Sequence, residues 1–196
     1  MSVTLLGYTV SAEGTQPLEE KVAAINHFQQ PVLVEDLIHF LGMLNIYQRF
    51  IPQATSIQAP VHAALAGLKV KGSQLVEWTP TMVQVLEDCK TSLSCATLLA
   101  HPDPSATLAL FTDASEIAIG ATLQQHVCDT WKPLAFYFHT LSPAQQNYSP
   151  YYQQFLAVYE AIKYFRHMTK GHPFVIFTDH KPLTYAFQQC KDKCSP

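Results

Sequence analysis

The chain has 196 residues, of which 48% are hydrophobic, and its formal net charge is −3. This hydrophobic content excludes a largely disordered chain. The negative charge argues against a free-standing nucleic-acid binder, because Lys and Arg contacts to phosphates supply most of that affinity, so any nucleic-acid role needs a local basic face or a partner. No apolar run reaches about 18 residues and no signal peptide is evident, so we expect a cytoplasmic or nuclear protein that is neither secreted nor inserted in a membrane.

The first hundred residues predict a small helical domain after a short extended start. Residues 1–10 are typical of a strand or half of a hairpin, and Pro17 opens a short helix. A second helix begins near Val34, a third covers residues 57–65, and a fourth begins at Thr79-Pro80, where Thr suits the cap and Pro the first helical position. The buried face of this fourth helix is predicted from its periodicity to contain Met82, Val85, Leu86, Cys89 and Leu93.

The pattern changes at His101-Pro102-Asp103-Pro104, which indicates a boundary or linker. Short β-rich runs follow, then a long helix at about 151–167 and a last strand. The predicted elements of this part are Leu108–Asp113, Ala118–Gln125, Pro133–Phe138, Tyr151–His167, Phe174–Asp179 and Pro182–Gln189. The apolar stripe of the long helix is predicted to be Phe155, Val158, Tyr159, Ile162 and Phe165. The order is β-β-β-α-β-α, and its helical crossover predicts parallel pairing of the first and last of these strands.

Two of the apolar strands end in the same dipeptide, Thr112-Asp113 and Thr178-Asp179. Strands that deliver an acid to their carboxyl ends are how α/β folds place catalytic carboxylates at a cleft. The alternative is that each Asp only caps a helix or a turn. If the two strands are parallel neighbours, both carboxylates lie at the same edge of the sheet.

Successive blocks of the chain resemble the Pol polyprotein of gypsy-type LTR retrotransposons, from the end of the reverse transcriptase into ribonuclease H. The blocks, in order, are LLGYTVSAEG, FLGMLNIYQRFIP, EWTPTMVQVLEDCKTSL, LLAHPD, TDASEIAIGATLQQ, PLAFYFHTLSPAQQNYS and FVIFTDHKPLTYAF. The resemblance implies an α/β fold in which a small helical thumb-like domain precedes an incomplete ribonuclease H-like mixed sheet. Its implied divisions are the end of the palm at 1–14, the thumb and connection at 15–100, and a truncated ribonuclease H-like domain at 101–196.

The chemistry implied by the resemblance is cleavage of the RNA strand of an RNA–DNA hybrid, with carboxylates holding two Mg²⁺ ions about 4 Å apart. By position, the first and third carboxylates fall on Asp113 and Asp179, the expected metal ligands. The second falls on Gln154, a degenerate catalytic position, since the family has Glu there and a neutral amide is a poorer Mg²⁺ ligand. The fourth is expected beyond Pro196, and the polymerase aspartates before Met1.

The resemblance also implies partners: an RNA–DNA hybrid or a template–primer, and the rest of a Pol polyprotein. Tyr47 and Arg49 are candidate contacts to a template–primer backbone, the alternative being ordinary packing on a helix surface. Glu116 and Glu160 are candidate substitutes for the missing second carboxylate, although Glu160 lies about 240° round the helix from Gln154.

Three functions stay open on the sequence alone: a working ribonuclease H-type enzyme, an inactive remnant of a retroelement, and a module that binds nucleic acid or protein. Gln154 and the negative charge favour the inactive remnant. Cys190, Cys194 and nearby His180 are an alternative metal site, against which stands a polar tail with incidental cysteines. The five cysteines form no CxxC pair, and their odd number fits free thiols in a reducing compartment.

Overall fold

The computed structural model describes residues 2–51, 54–66 and 73–183. The elements in chain order are β1 (Ser2–Leu5), β2 (Tyr8–Ser11), β3 (Thr15–Pro17), α1 (Glu19–Asn26), α2 (Val34–Ile46), α3 (Ala54–Ala66), α4 (Pro80–Ser94), β4 (Thr107–Ala114), β5 (Ala118–Val127), β6 (Thr130–Thr140), α5 (Pro143–Gln146), α6 (Pro150–Thr169) and β7 (Phe174–Thr178). Within these ranges, no helix is both long enough and apolar enough to cross a membrane.

The first part of the chain forms a small antiparallel sheet, β1-β2-β3, and a helical unit with its own core. The predicted start of the fourth helix is confirmed, because the Thr79 hydroxyl accepts a hydrogen bond from the Met82 backbone N–H at 3.2 Å and Pro80 opens the helix. Its predicted buried face is also confirmed: Met82, Val85, Leu86, Cys89 and Leu93 all lie in the core.

The second sheet has the strand order β6-β5-β4-β7. β4 pairs antiparallel with β5, and β5 pairs antiparallel with β6. β4 and β7 are parallel, as the helical crossover predicted, and the last pair of their register is Thr112 with Thr178. The predicted helix at Pro182–Gln189 falls partly outside the described residues, of which 181–183 are helical.

Helix α6 packs on this sheet with a face that differs from the predicted one. Its buried side chains are Gln153, Gln154, Ala157, Val158, Ala161, Phe165 and Thr169. The prediction was therefore right for Val158 and Phe165 and wrong for Phe155, Tyr159 and Ile162, which are exposed. The reason is steric: Ala157 and Ala161, almost wholly buried, let the helix lie close to the sheet, where larger side chains would hold it away.

Residues 99–103 connect the helical unit to the second sheet, and we call them the strap. The strap is hydrogen-bonded at several points. Thr15 and Leu99 exchange two backbone hydrogen bonds, of 2.8 and 2.9 Å, which join the strap to β3. The buried Gln125 of β5 then holds it from the other side. Its Nε2 donates to the His101 carbonyl at 2.8 Å, and its Oε1 accepts from the Asp103 N–H at 2.9 Å. The predicted boundary segment is thus a bonded connection between the helical unit and the second sheet.

Candidate active site

The parallel register brings the two predicted aspartates to one end of the sheet. Thr112 and Thr178 are register partners on the adjacent strands β4 and β7, and Asp113 and Asp179 are the next residue on each. Both aspartates are exposed to solvent. The sequence prediction that two acids meet at one sheet margin therefore has the backbone geometry it needs.

An open groove of about 750 Å³ lies beside Asp113, on the sheet surface. Its lining includes Asp113, Glu116, Gly120, Phe136 and Phe138. A Cβ at Gly120 would lie 2.8 Å from the Phe138 ring, so a larger residue here would displace that ring or the strand. Glu116 is exposed and adds a second carboxylate to the lining, so the groove is acidic beside the end of β4.

Gln154 occupies the third predicted position and is 7% exposed. It sits in the second turn of α6, which begins at Pro150 after the Ser149 cap. Its Nε2 donates to the Ala114 carbonyl oxygen at 3.4 Å, while its Oε1 is buried and has no hydrogen-bond partner. The side chain thus joins α6 to the end of β4, one residue beyond Asp113.

Asp113, Gln154 and Asp179 do not provide the set of carboxylates that the resemblance implies for holding two metal ions. Among the described residues, no three His, Cys, Asp or Glu side chains come together as a metal-binding group. Glu160 does not replace the missing acid, because it pairs with Lys163 at 3.7 Å further along α6. Asp113 and Asp179, which follow register partners on β4 and β7, are the residues that would hold a divalent cation.

His180 lies beside the candidate site, directly after Asp179, and the sequence did not single it out for this place. Its backbone N–H donates to the Thr178 hydroxyl at 3.2 Å, and its ring meets Tyr151 edge-on with centroids 5.8 Å apart. Its Nδ1 is buried without a partner. The contact joins the residue after Asp179 to the first turn of α6. The only sequence signal for it was the position of His180 directly after the Thr-Asp dipeptide.

The two predicted nucleic-acid contacts have very different surroundings. Tyr47 is 5% exposed, and its hydroxyl donates to the Gly7 carbonyl at 3.4 Å. Burial raises the pKa of Tyr47, and Tyr8 adds to this. Arg49 is exposed, with its guanidinium 5.1 Å from the centroid of the Phe50 ring. Of these two residues, Arg49 is the one whose side chain is exposed for a contact to a template–primer backbone. That contact stays a prediction.

Comparison with known proteins agrees with this architecture. Residues 78–176 match the family described as the RNase H-like domain found in reverse transcriptase. The Tf2-3 and Tf2-4 transposon polyproteins of Schizosaccharomyces pombe (strain 972 / ATCC 24843) are each 35% identical to the chain over 184 residues. That alignment covers 92% of this chain but only 13% of each relative.

Two solved structures of the foamy viral protease-reverse transcriptase share the fold. The complex with dsDNA has a TM-score of 0.82 at 19% identity, covering 95% of this chain and 38% of that one. The complex with an RNA/DNA hybrid has a TM-score of 0.78 at 20% identity, covering 93% and 25%. The predicted α/β architecture and the predicted resemblance are both confirmed. The chain belongs to the family of RNase H-like domains found in reverse transcriptases, and it corresponds to a segment of LTR retrotransposon Pol polyproteins.

Proposed function

We propose that this chain is a nucleic-acid-facing segment of a retrotransposon Pol-type polyprotein whose RNase H-like site does not hydrolyse RNA. The observation that carries the proposal is the buried Gln154 amide, hydrogen-bonded to the Ala114 carbonyl where the family resemblance implies a Glu carboxylate. The parallel pairing of β4 with β7 beside it is the strand arrangement that the fold predicts.

The chemical reason is charge. Two-metal hydrolysis needs carboxylates to hold both cations and offset their charge. A Gln at position 154 removes one negative charge from the set formed with Asp113 and Asp179. Its Nε2, moreover, is a hydrogen-bond donor held against β4. Mg²⁺ binding at Asp113 and Asp179 is therefore proposed to be weak, and insufficient for hydrolysis.

The nucleic-acid part of the proposal rests on the relatives. The matched foamy viral proteins are in complex with dsDNA and with an RNA/DNA hybrid, and the curated relatives are transposon polyproteins. We propose an RNA–DNA hybrid or template–primer as the partner. We also propose the division into a palm end (1–14), a thumb and connection (15–100) and a ribonuclease H-like domain (101–196).

A cleavage assay on an RNA–DNA hybrid with Mg²⁺ or Mn²⁺ tests the first part. We expect the native chain to release no more product than an Asp113→Asn variant. Asp113→Asn is the matched control because it removes one charge from the same site. Turnover by the native chain that Asp113→Asn abolishes would overturn the proposal.

Fluorescence anisotropy with the same hybrid tests the second part. We expect binding that weakens as salt rises, and an Arg49→Ala variant whose salt slope is smaller by about one. Lys21→Ala, which removes an exposed cation from α1 of the same helical unit, should keep the native slope. An affinity that does not change with salt, or equal effects of the two variants, would contradict backbone binding through Arg49.

A further inference from the structure

The last two turns of α6 and the residue after them carry a concentration of positive charge that the proposed function does not use. Lys163, Arg166 and Lys170 are exposed, and they are three of the 12 lysines and arginines in a chain whose formal net charge is −3. Residues 161–178 contain no Asp or Glu. This segment is therefore a local basic face, which an acidic chain needs in order to contact nucleic acid.

The three cations lie along one side of the helix. At about 3.6 residues per turn, their spacings of three and four residues place them within about 60° of one another around the helix axis. We call Lys163, Arg166 and Lys170 the basic stripe. With a rise of about 1.5 Å per residue, the stripe extends about 10 Å along the axis. One strand of a duplex carries a phosphate about every 3.4 Å of its axis, so the stripe matches about three successive phosphates.

The charges of the basic stripe are available to an external anion. Within the described ranges, Arg166 and Lys170 form no ion pair, and Lys163, whose side chain is 66% exposed, lies 3.7 Å from the Glu160 carboxylate. An exposed pair of this kind contributes little stability, so a phosphate can take the place of Glu160. The helix macrodipole also favours cations at a C-terminus, but its effect falls off within the last turn. It does not account for Lys163, which lies one turn earlier.

We propose that the basic stripe binds the phosphate backbone of the nucleic acid, as a second contact in addition to Arg49. The inference rests on the proposed function, because it takes the RNA–DNA hybrid as the partner. Lys163 and Lys170 contact phosphates as point charges, whereas the planar guanidinium of Arg166 can donate two parallel hydrogen bonds to one phosphate. Contacts to phosphates carry no base information, so the stripe adds affinity without sequence preference.

Fluorescence anisotropy of the whole chain with the hybrid, repeated over a range of salt concentrations, counts the phosphate contacts. Lys163→Gln, Arg166→Gln and Lys170→Gln should each lower the salt slope by about one, and the three together by about three. Arg166→Lys keeps the charge and should keep the native slope. The matched control is Lys132→Gln, which removes an exposed cation from β6 and should also keep it. Circular dichroism melts verify that each variant is folded, since the loss of cations can weaken the end of the helix.

Lysine acetylation followed by mass spectrometry locates the contact directly. Bound hybrid should slow the acetylation of Lys163 and Lys170 several-fold and leave that of Lys132 unchanged. Equal protection of all three lysines would overturn the proposal, and so would a native salt slope in the triple variant. If Arg49→Ala still lowers the slope in that case, the basic stripe alone is rejected and the proposed function stands. A native chain that does not bind the hybrid would overturn both.

Discussion

Gln154 of α6 donates a hydrogen bond of 3.4 Å to the carbonyl oxygen of Ala114, at the end of β4. A Glu at this position would bring a buried carboxylate against that carbonyl and lose the donor. We therefore expect Gln154→Glu to lower the free energy of unfolding by about 1–3 kcal/mol in the presence of a chelator. Excess Mg²⁺ should restore more stability to this variant than it adds to the native chain, which thermal melts with and without the ion would measure.

A control for this prediction lies one residue earlier. Gln153 is also buried and donates to the Gln146 carbonyl at 3.2 Å, on the side of α5. Gln153→Glu removes an equivalent donor but adds its charge away from the two aspartates. It should destabilise the fold without responding to Mg²⁺. Equal recovery of the two variants would show that the ion acts elsewhere on the chain.

A second prediction concerns the strap. Gln125 is 3% exposed and binds the strap through both atoms of its amide. Gln125→Leu leaves the His101 carbonyl and the Asp103 N–H without this partner, so we expect a loss of about 1–3 kcal/mol of stability. Hydrogen exchange should accelerate most at residues 101–106. Gln124→Leu, on the opposite face of β5, should change that exchange little; a similar acceleration would count against the strap.

A third prediction concerns the groove. A methyl group at position 120 would overlap the Phe138 ring, so Gly120→Ala should displace that ring or the strand beneath it. We expect a destabilisation of about 1–3 kcal/mol, as for other overpacking substitutions. Urea denaturation would measure it, with Ala121→Gly as a control for the strand's intrinsic propensity. Full stability of Gly120→Ala would mean that Phe138 moves aside freely.

A fourth prediction concerns Cys89, in the helical core. Burial raises the pKa of its thiol to about 12, and the nearby Asp88 carboxylate adds to the shift. Because thiolate is the reactive form, alkylation of Cys89 at pH 8 should be slow in the folded chain and follow unfolding. Cys95 and Cys128 are exposed and should react at once. Peptide mass spectrometry would measure each rate; fast labelling of Cys89 would show that the core opens locally.

Local sequence signals predicted the fold correctly where a single local interaction or connection determines the structure. The Thr79-Pro80 start of α4 follows from capping, and the parallel pairing of β4 with β7 follows from the handedness and length of the crossover. The face of α6 could not be predicted in this way, because its apolar residues lie on two sides of the helix. Tertiary packing chose the side with Ala157 and Ala161, since only small side chains allow close approach to the sheet.

The candidate active site could also be predicted only in part from the local sequence. The positions of Asp113 and Asp179 at one sheet edge could be predicted from strand ends alone, whereas the hydrogen bond from Gln154 to Ala114 joins residues 40 apart in the chain. Tyr47 is a further example. Its place in the sequence suggested a surface contact, but its ring fills space against Tyr8, with centroids 5.8 Å apart.

The strap of residues 99–103 is hydrogen-bonded to β3 on one side and to Gln125 on the other, at the place where the paired prolines predicted a boundary or linker. Because those bonds come from elements on both sides, loss of either set is expected to loosen residues 99–103 before either sheet unfolds, so this connection is an early point of local opening.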